Sequence, residues 1–303
     1  MAAGVITTGS FAKALYPGVS KWYGKAYAEH DEEYPKLFEM SSMTRAWIEE
    51  VSVSSFGLLA VRGEGAQTTM DSEQQGFITR YTPTEYSLGF IITRNMLDDD
   101  LYAVVGERRA KGLAFSVRQT VETVAANVYN RAFNSSYTGG DGVSLLNAAH
   151  VNIAGANYAN QLATAADLSE ASLEQARIDL MKFTNDRGLK ISIMPKSLIV
   201  PVDLVNEAEK ILKTPTTPFS AELTVNVAKG IFPGGLIVNH YLTDTDAWFI
   251  RTNSPDGMKF MWRKEPKFDT DNDFLTDNAQ YKVVTRFVAG WTDPRGLFGS
   301  AGA

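Results

Sequence analysis

Histidine is the side chain best suited to acid–base catalysis near neutral pH, and the chain contains His30, His150 and His240. The three are far apart in sequence, and no two have the His-x-His or His-x-x-x-His spacing that offers a metal ion two ligands on one face. A hydrolase also needs a histidine beside a nucleophile in space, and no pattern in the sequence indicates such a pair. The sequence therefore predicts no catalytic residue and no histidine metal site.

Two further stretches resemble binding motifs in part. Residues Asp269–Asp273 carry an aspartate at every second position, as calcium loops do, but Phe274 and Gln280 stand where those loops have Gly and Glu. Gly139–Gly142 is rich in glycine but lacks the Lys-Ser/Thr pair of a phosphate-binding loop. We therefore expect a solvated acidic loop and a plain turn, with no metal and no cofactor.

The composition of the chain excludes several classes of protein. Its 303 residues contain no cysteine, which excludes disulfides, thiolate metal sites and thiol nucleophiles. The net charge of −6 disfavours a protein that wraps nucleic acid, because neutralising phosphates requires clustered Lys and Arg. The sequence has no long apolar run and no signal-peptide pattern, so we expect a soluble protein that is not secreted.

The first segment, Met1–Glu39, mixes aromatic with charged residues, and Pro17 and Pro35 predict that it is irregular. Its aromatic residues, which need a surface to pack on, are Trp22, Tyr23, Tyr27, Tyr34 and Phe38. Either they fold back on their own domain, or the segment is an arm that crosses a neighbouring subunit. The arm interpretation predicts that deletion of Met1–Glu39 leaves a folded protein that does not assemble.

Two segments of alternating apolar residues, Trp47–Ala60 and Phe77–Ile92, predict the strands of an extended hairpin around a polar tip. The hairpin has too few apolar residues to bury much surface within its own chain, and isolated two-stranded hairpins are marginally stable. We therefore expect it to gain stability from a partner. Asn95–Asn134 predicts a helix, broken near Tyr102, whose apolar stripe runs for about 45 Å.

The second half of the chain predicts mixed structure. A helix begins at an N-cap, Asp167 or Ser169, and ends at Gly188. A shorter helix at Asp203–Leu212 is followed by a Pro-rich loop at 214–218. The predicted strands are Lys190–Met194, Leu198–Val200, Leu236–Tyr241, Ala247–Arg251, Met258–Arg263 and Gln280–Trp291. Because helices and strands do not alternate regularly, the predicted fold class is α+β.

Three stretches, taken in order along the chain, carry a family resemblance. They are Leu145–Asn152, the run from Leu173 to Leu212, and Tyr281–Phe287 with Gly290–Gly296. Together they resemble the major capsid (head) protein of tailed bacteriophages, most closely the phage Mu-type major head subunit group. The resemblance implies the Hong Kong 97-like phage capsid fold, with an N-terminal arm, an extended E-loop hairpin, a peripheral domain with a long spine helix, and an apical domain.

The resemblance also implies boundaries for these parts. The arm is expected at 1–45, and the first part of the peripheral domain at 46–190, with the E-loop at about 53–86 and the spine helix at about 104–134. The apical domain is expected at 191–252. The peripheral domain then returns over 253–303 with the C-terminal strand.

The function that this resemblance implies is structural, with no active site. Copies are expected to form pentamers and hexamers that close an icosahedral shell around double-stranded DNA, with weak contact to the DNA. Separate scaffolding, portal and decoration proteins are expected as partners, and assembly is expected in the host bacterial cytoplasm, without a membrane. The side chains expected to contact neighbouring subunits are Trp22, Tyr23, Tyr27, Arg62, Glu64 and Arg80.

The shell is expected to be held without covalent cross-links. Some relatives join subunits through a lysine in the E-loop, but this sequence has no lysine between Lys36 and Lys111. Charged residues of the hairpin are expected to pair with a neighbour instead: Arg62, Glu64, Asp71, Glu73, Arg80 and Glu85. Two alternatives stay open at this point. One is an encapsulin-like nanocompartment shell that encloses protein cargo, and the other is a soluble α+β hydrolase.

Overall fold

The structure is a computed structural model that describes residues 12–93, 95–96, 102–153, 156–214, 226–273 and 278–303. The start of the expected arm, most of the Pro-rich loop and Phe274 lie outside the described residues. Helices and strands follow each other without regular alternation, which confirms the α+β class. No helix among the described residues has both the length and the apolar character needed to cross a membrane.

The described part of the N-terminal segment is mostly helical, so the prediction of an irregular segment is wrong there. Helix α1 (Ala12–Glu29) continues through position 17, and a short α2 (Tyr34–Leu37) follows. A proline this close to the helix start removes one backbone hydrogen bond, which the packing of the later turns offsets. Tyr34 and Phe38 lie in the main core, with 4% and 2% of their surface exposed. Deletion of residues 1–39 therefore removes core side chains, and we now expect it to unfold the protein.

The predicted hairpin exists, but both of its strands are shorter than the sequence indicates. Strand β1 (Glu39–Ser42) precedes β2 (Ile48–Val53), which pairs antiparallel with β3 (Gln75–Tyr81). The strand pairing is interrupted at Pro83, because proline has no N–H to donate to a neighbouring strand. Strand β4 (Thr84–Ile92) then joins a different sheet instead of continuing the hairpin.

The spine helix is one long element. Helix α3 (Tyr102–Asn130) has 29 residues and is about 43 Å long, and it ends four residues before the predicted Asn134. It packs on a sheet of order β1-β8-β9-β4, in which β8 (Met258–Asn272) and β9 (Ala279–Trp291) form a long antiparallel pair.

The second half begins with α4 (Glu170–Met181), whose N-cap Ser169 forms a reciprocal capping box with Ser172. The helix ends at Met181, and Gly188, with a φ of 78°, lies in the following turn instead of ending the helix. The predicted strand at 190–194 is wrong, because the ladder of β5 begins only at Pro195.

A second sheet follows, of order β10-β7-β5-β6. Its strands are β5 (Pro195–Val200), β6 (Leu236–Val238), β7 (Trp248–Thr252) and β10 (Leu297–Ser300), and α5 (Val205–Lys213) follows β5.

This second sheet separates two hydrophobic cores. Along β7, Phe249 points into the core that contains the end of α3, whereas Trp248 and Ile250 point into the core that contains α4 and α5. The same alternation places Leu297 in the first core and Phe298 in the second. Side chains alternate between the faces of a strand, so one sheet supports both halves of the molecule.

Candidate assembly surfaces

The loop of residues 54–74, which joins β2 to β3, exposes apolar side chains at its outer end. The exposed fraction is 83% for Leu58, 100% for Leu59 and 103% for Val61. Fully burying such a side chain is worth about 1.5–3 kcal/mol. The apolar segment Leu58–Val61 therefore has a driving force to dock on another surface.

The charged residues of the hairpin mostly find partners within the chain. Arg62 donates from Nε to the carbonyl of Ala66 at 2.6 Å. Arg80 lies over the Trp47 ring, with the guanidinium carbon 4.4 Å from the ring centroid. Asp71 and Glu85, both expected to pair with a neighbour, form ion pairs with Arg187 and Arg286 of the same chain.

The base of the hairpin is supported by its own chain rather than by a partner alone. A Cβ atom added at Gly140 would lie 3.2 Å from the carbonyl oxygen of Ile78 in β3. One added at Gly76 would overlap with Cδ1 of Ile153. Both glycines thus let the 138–153 loop approach the hairpin closely. The Gly139–Gly142 stretch, which resembles a phosphate loop only in part, serves this packing.

The aromatic residues of α1 lie against the chain's own spine helix. Tyr23 is buried among apolar residues of α3, with 6% of its surface exposed. The Tyr27 ring faces the guanidinium of Arg118 at 3.6 Å, and Trp22 is half-buried at the edge of the same cluster. Packing on their own domain is thus what the structure shows for these rings. The structure does not group them with Arg62, Glu64 and Arg80, and contact of all six with a neighbour stays a prediction.

A buried carboxylate fixes α2 to the spine helix. Glu122 is 2% exposed, and it accepts hydrogen bonds from the backbone N–H groups of Glu33 at 2.8 Å and Tyr34 at 3.0 Å. Burial raises the pKa of Glu122 to about 7, and the two N–H groups offset this only in part. Glu33 in turn lies 2.6 Å from Nδ1 of His240.

His150, which falls in one of the stretches that carry the family resemblance, has a structural role. It is fully buried, with Nδ1 2.5 Å from Asp141 and Nε2 3.1 Å from Oδ1 of Asn160. Asn160 also donates to the carbonyls of Pro294 and Leu297, at 3.0 and 3.3 Å. With both ring nitrogens engaged and no exposure to solvent, His150 is not placed to exchange protons with a substrate.

A second buried polar group surrounds Arg295. Its guanidinium donates to Asn152 at 2.5 Å, to Asp186 at 2.9 Å and to Asp293 at 3.3 Å, and its Nε donates to the carbonyl of Thr184 at 3.0 Å. The arginine thus donates to acceptors from three separate segments. Within the described part of the chain, no three acidic or histidine side chains group so as to hold a metal ion.

The exposed apolar segment is a feature of a protein that packs against other proteins, and comparison with known families identifies which kind. A family model described as phage capsid protein matches residues 77–299, well over half of the chain. The chain belongs to the phage capsid protein family. This assignment makes it the structural subunit of a capsid shell, located in the virion capsid, and it overturns the hydrolase alternative.

The fold of this capsid protein is similar to that of several solved structures. It is similar to the virus-like particle from Pyrococcus furiosus, with 12% identity over 92% of this chain and 96% of that chain, and a TM-score of 0.54. It is similar to the capsid of the native GTA particle, with 13% identity over 89% and 90% of the two chains, and a TM-score of 0.53.

A third similar chain comes from Mycobacterium phage Adephagia, with 13% identity over 90% and 91% of the two chains and a TM-score of 0.51. No curated protein matches the chain. At these identities the similarity shows the fold, and it confirms the predicted Hong Kong 97-like architecture of the capsid protein. The phage Mu-type subgroup stays a prediction.

Proposed function

We propose that this capsid protein assembles as pentamers and hexamers into the icosahedral head of a tailed bacteriophage, around double-stranded DNA. The observation that carries the proposal is the exposed apolar segment Leu58–Val61 at the end of the hairpin loop. A projection on one face that docks on a different face of the next copy makes a heterologous contact. Repeated around an axis, such contacts close rings of identical subunits.

The parts of the subunit are proposed to follow the family arrangement. We assign the N-terminal arm to 1–45. We place the E-loop, expected at about 53–86, before β4 begins at Thr84, and we identify the spine helix, expected at about 104–134, with α3. α4 contributes Leu173 and Leu180 to the core of the second half, which favours an apical domain that begins before 191 and ends near 252. Within 253–303, the return of the peripheral domain, the last strand pairs with β7 of the second sheet.

Contacts between subunits are proposed to be noncovalent. The hairpin offers no lysine amine for an isopeptide bond, because the sequence has none between Lys36 and Lys111. Separate scaffolding, portal and decoration proteins are proposed as partners, with assembly in the host bacterial cytoplasm. The net charge of −6 supports weak, non-specific contact with the packaged DNA.

Size and content of the particle test the proposal together. Particles purified from cells that produce the whole phage should elute far above the mass of a small oligomer and hold nuclease-protected double-stranded DNA. Boiled particles should give one band near the chain mass of 33.3 kDa on denaturing electrophoresis. Protein cargo without DNA would favour the nanocompartment alternative. A ladder of covalent oligomers on the gel would show that subunits are cross-linked, against the proposal of noncovalent contacts.

A further inference from the structure

The hairpin loop, residues 54–74, is attached to the body of the subunit by a small polar cluster. The body residues of this cluster are more than 100 positions away from the loop in sequence. Arg187 donates from Nη1 to Oδ2 of Asp71 at 2.5 Å, and its Nη2 donates to the carbonyl of Ser72. Asn185 donates from Nδ2 to the hydroxyl of Ser55 at 2.8 Å. One turn of the body thus contacts both arms of the loop.

The same cluster joins the two arms of the loop to each other. Asp71 Oδ2 accepts the backbone N–H of Gly57 at 2.8 Å, so one carboxylate oxygen binds the opposite arm and the body together. A Cβ atom at position 57 would lie 3.3 Å from both Asp71 Oδ2 and Arg187 Nη1. The Gly57 N–H and the Arg187 guanidinium lower the pKa of Asp71, which favours its charged form.

The turn that presents these donors is held by hydrogen bonds of its own. Oδ1 of Asn185 accepts the N–H groups of Arg187 at 3.0 Å and Leu189 at 2.8 Å, and Gly188 adopts the positive φ that the turn requires. The preceding residue, Asp186, binds the buried Arg295. The loop is therefore tied to the interior of the subunit, and only the apolar segment beyond Gly57 stays free.

We propose that Asp71, Asn185 and Arg187 form a clamp that fixes the direction of the hairpin loop before subunits meet. This inference rests on the proposed function, because the apolar segment is taken to dock on a second copy. A loop of 21 residues, counted from 54 to 74, loses conformational entropy when it docks, and restraining it beforehand reduces that loss. The clamp thus promotes assembly without contacting the neighbour.

The test compares Arg187→Ala with the control Lys182→Ala. Lys182 is a nearby residue whose side chain is 70% exposed, so both changes remove one positive charge. Hydrogen exchange is measured on dilute, unassembled full-length subunit, and the concentration threshold for assembly is measured by light scattering. Arg187→Ala should exchange several-fold faster within residues 54–74 only, and its threshold should rise several-fold. The control should match the wild type in both measurements.

The outcomes distinguish failure of the clamp from failure of the proposed function. Unchanged exchange in Arg187→Ala overturns the clamp, since the loop is then not restrained by this residue. Faster exchange with an unchanged or lower threshold also overturns it, because restraint then does not promote assembly. Arg187→Lys, which keeps the charge but loses the forked geometry, should lie between wild type and Arg187→Ala. A wild-type chain that never assembles contradicts the proposed function instead, and the exchange result still reports whether the restraint exists.

Discussion

The guanidinium of Arg295 lies 2.9 Å from the carboxylate of Asp186, although the two residues are 109 positions apart in sequence. The pair joins the segment before the last strand to the turn after α4. Asp293 shares the same guanidinium, and burial raises the pKa of this second carboxyl, with the charge of Arg295 acting against the rise. The arginine therefore compensates charges that the fold has removed from water.

Replacing Arg295 by alanine should destabilise the subunit strongly. The change leaves Asp186 and Asp293 without their cation, and breaking a buried ion pair from one side costs about 3–5 kcal/mol. Chemical denaturation of the purified protein measures the free energy of unfolding. Arg177→Ala, a change at a half-exposed arginine on α4, serves as the control and should cost less than about 1 kcal/mol. If the two variants lose equal free energy of unfolding, the buried cluster does not stabilise the subunit more than an exposed arginine does.

Glu122 predicts a dependence of stability on pH with a definite sign. Its pKa is about 7 in the folded protein against 4.5 when unperturbed, so the folded state binds the additional proton. Its contribution is fully present below about pH 4.5 and is lost as the pH rises through 7, where a buried charge must form. Between pH 5 and 8, Glu122→Gln should remove about 1–3 kcal/mol of this dependence, since one pKa unit is worth about 1.4 kcal/mol.

The measurement is a series of unfolding curves across this pH range for wild type and Glu122→Gln. Glu107→Gln provides the control, because that glutamate is on the same helix with its side chain 42% exposed. If the two variants show the same pH dependence as wild type, the carboxyl of Glu122 does not titrate in this range. The attachment of α2 then does not depend on its protonation.

Gly140→Ala should disturb the hairpin rather than the whole fold. The added methyl group would lie 3.0 Å from Oγ1 of Thr79 and 3.2 Å from the carbonyl oxygen of Ile78, and the latter is backbone that cannot rotate away. Such overpacking costs about 1–3 kcal/mol. The control is Gly24→Ala, at an exposed helix position with no neighbour within 4 Å, which should gain about 0.5–1 kcal/mol. A neutral Gly140→Ala would mean that the 138–153 loop does not support the hairpin.

The apolar segment should matter more for assembly than the charges beside it. Leu59→Asp places a charge on a fully exposed side chain, so the subunit should fold normally but fail to form particles. Arg62→Ala combined with Glu64→Ala removes exposed charges worth about 0–1 kcal/mol each, and should only weaken particles against heat or dilution. Light scattering and circular dichroism distinguish the two effects. The reverse order would show that charge pairing drives the contact.

Local patterns in the sequence predict the elements of the fold better than their connections. The apolar stripe of α3 and the alternation along β9 are visible because each repeats at the period of its own backbone. The break at Pro83 shows the limit: the residues on both sides alternate, yet they belong to different sheets. Only the pairing of β4 with β9, far along the chain, decides where the hairpin ends.

The polar clusters cannot be predicted from the sequence for the same reason. Asp71 and Arg187 are 116 positions apart, and Glu122 bonds a backbone group 88 positions away. No spacing rule links such residues, because only the tertiary fold brings them together. The resemblance covers the segments that contain Asp186 and Arg295, but it does not imply the contact between them.

Assembly into a shell is the property that distinguishes this chain from a protein of small oligomers. Negative-stain electron microscopy of the purified wild-type protein tests it most directly. We expect curved or closed shells of repeated subunits, formed at concentrations where the chain is folded by circular dichroism. A uniform field of small discrete oligomers from the same folded sample would contradict this expectation.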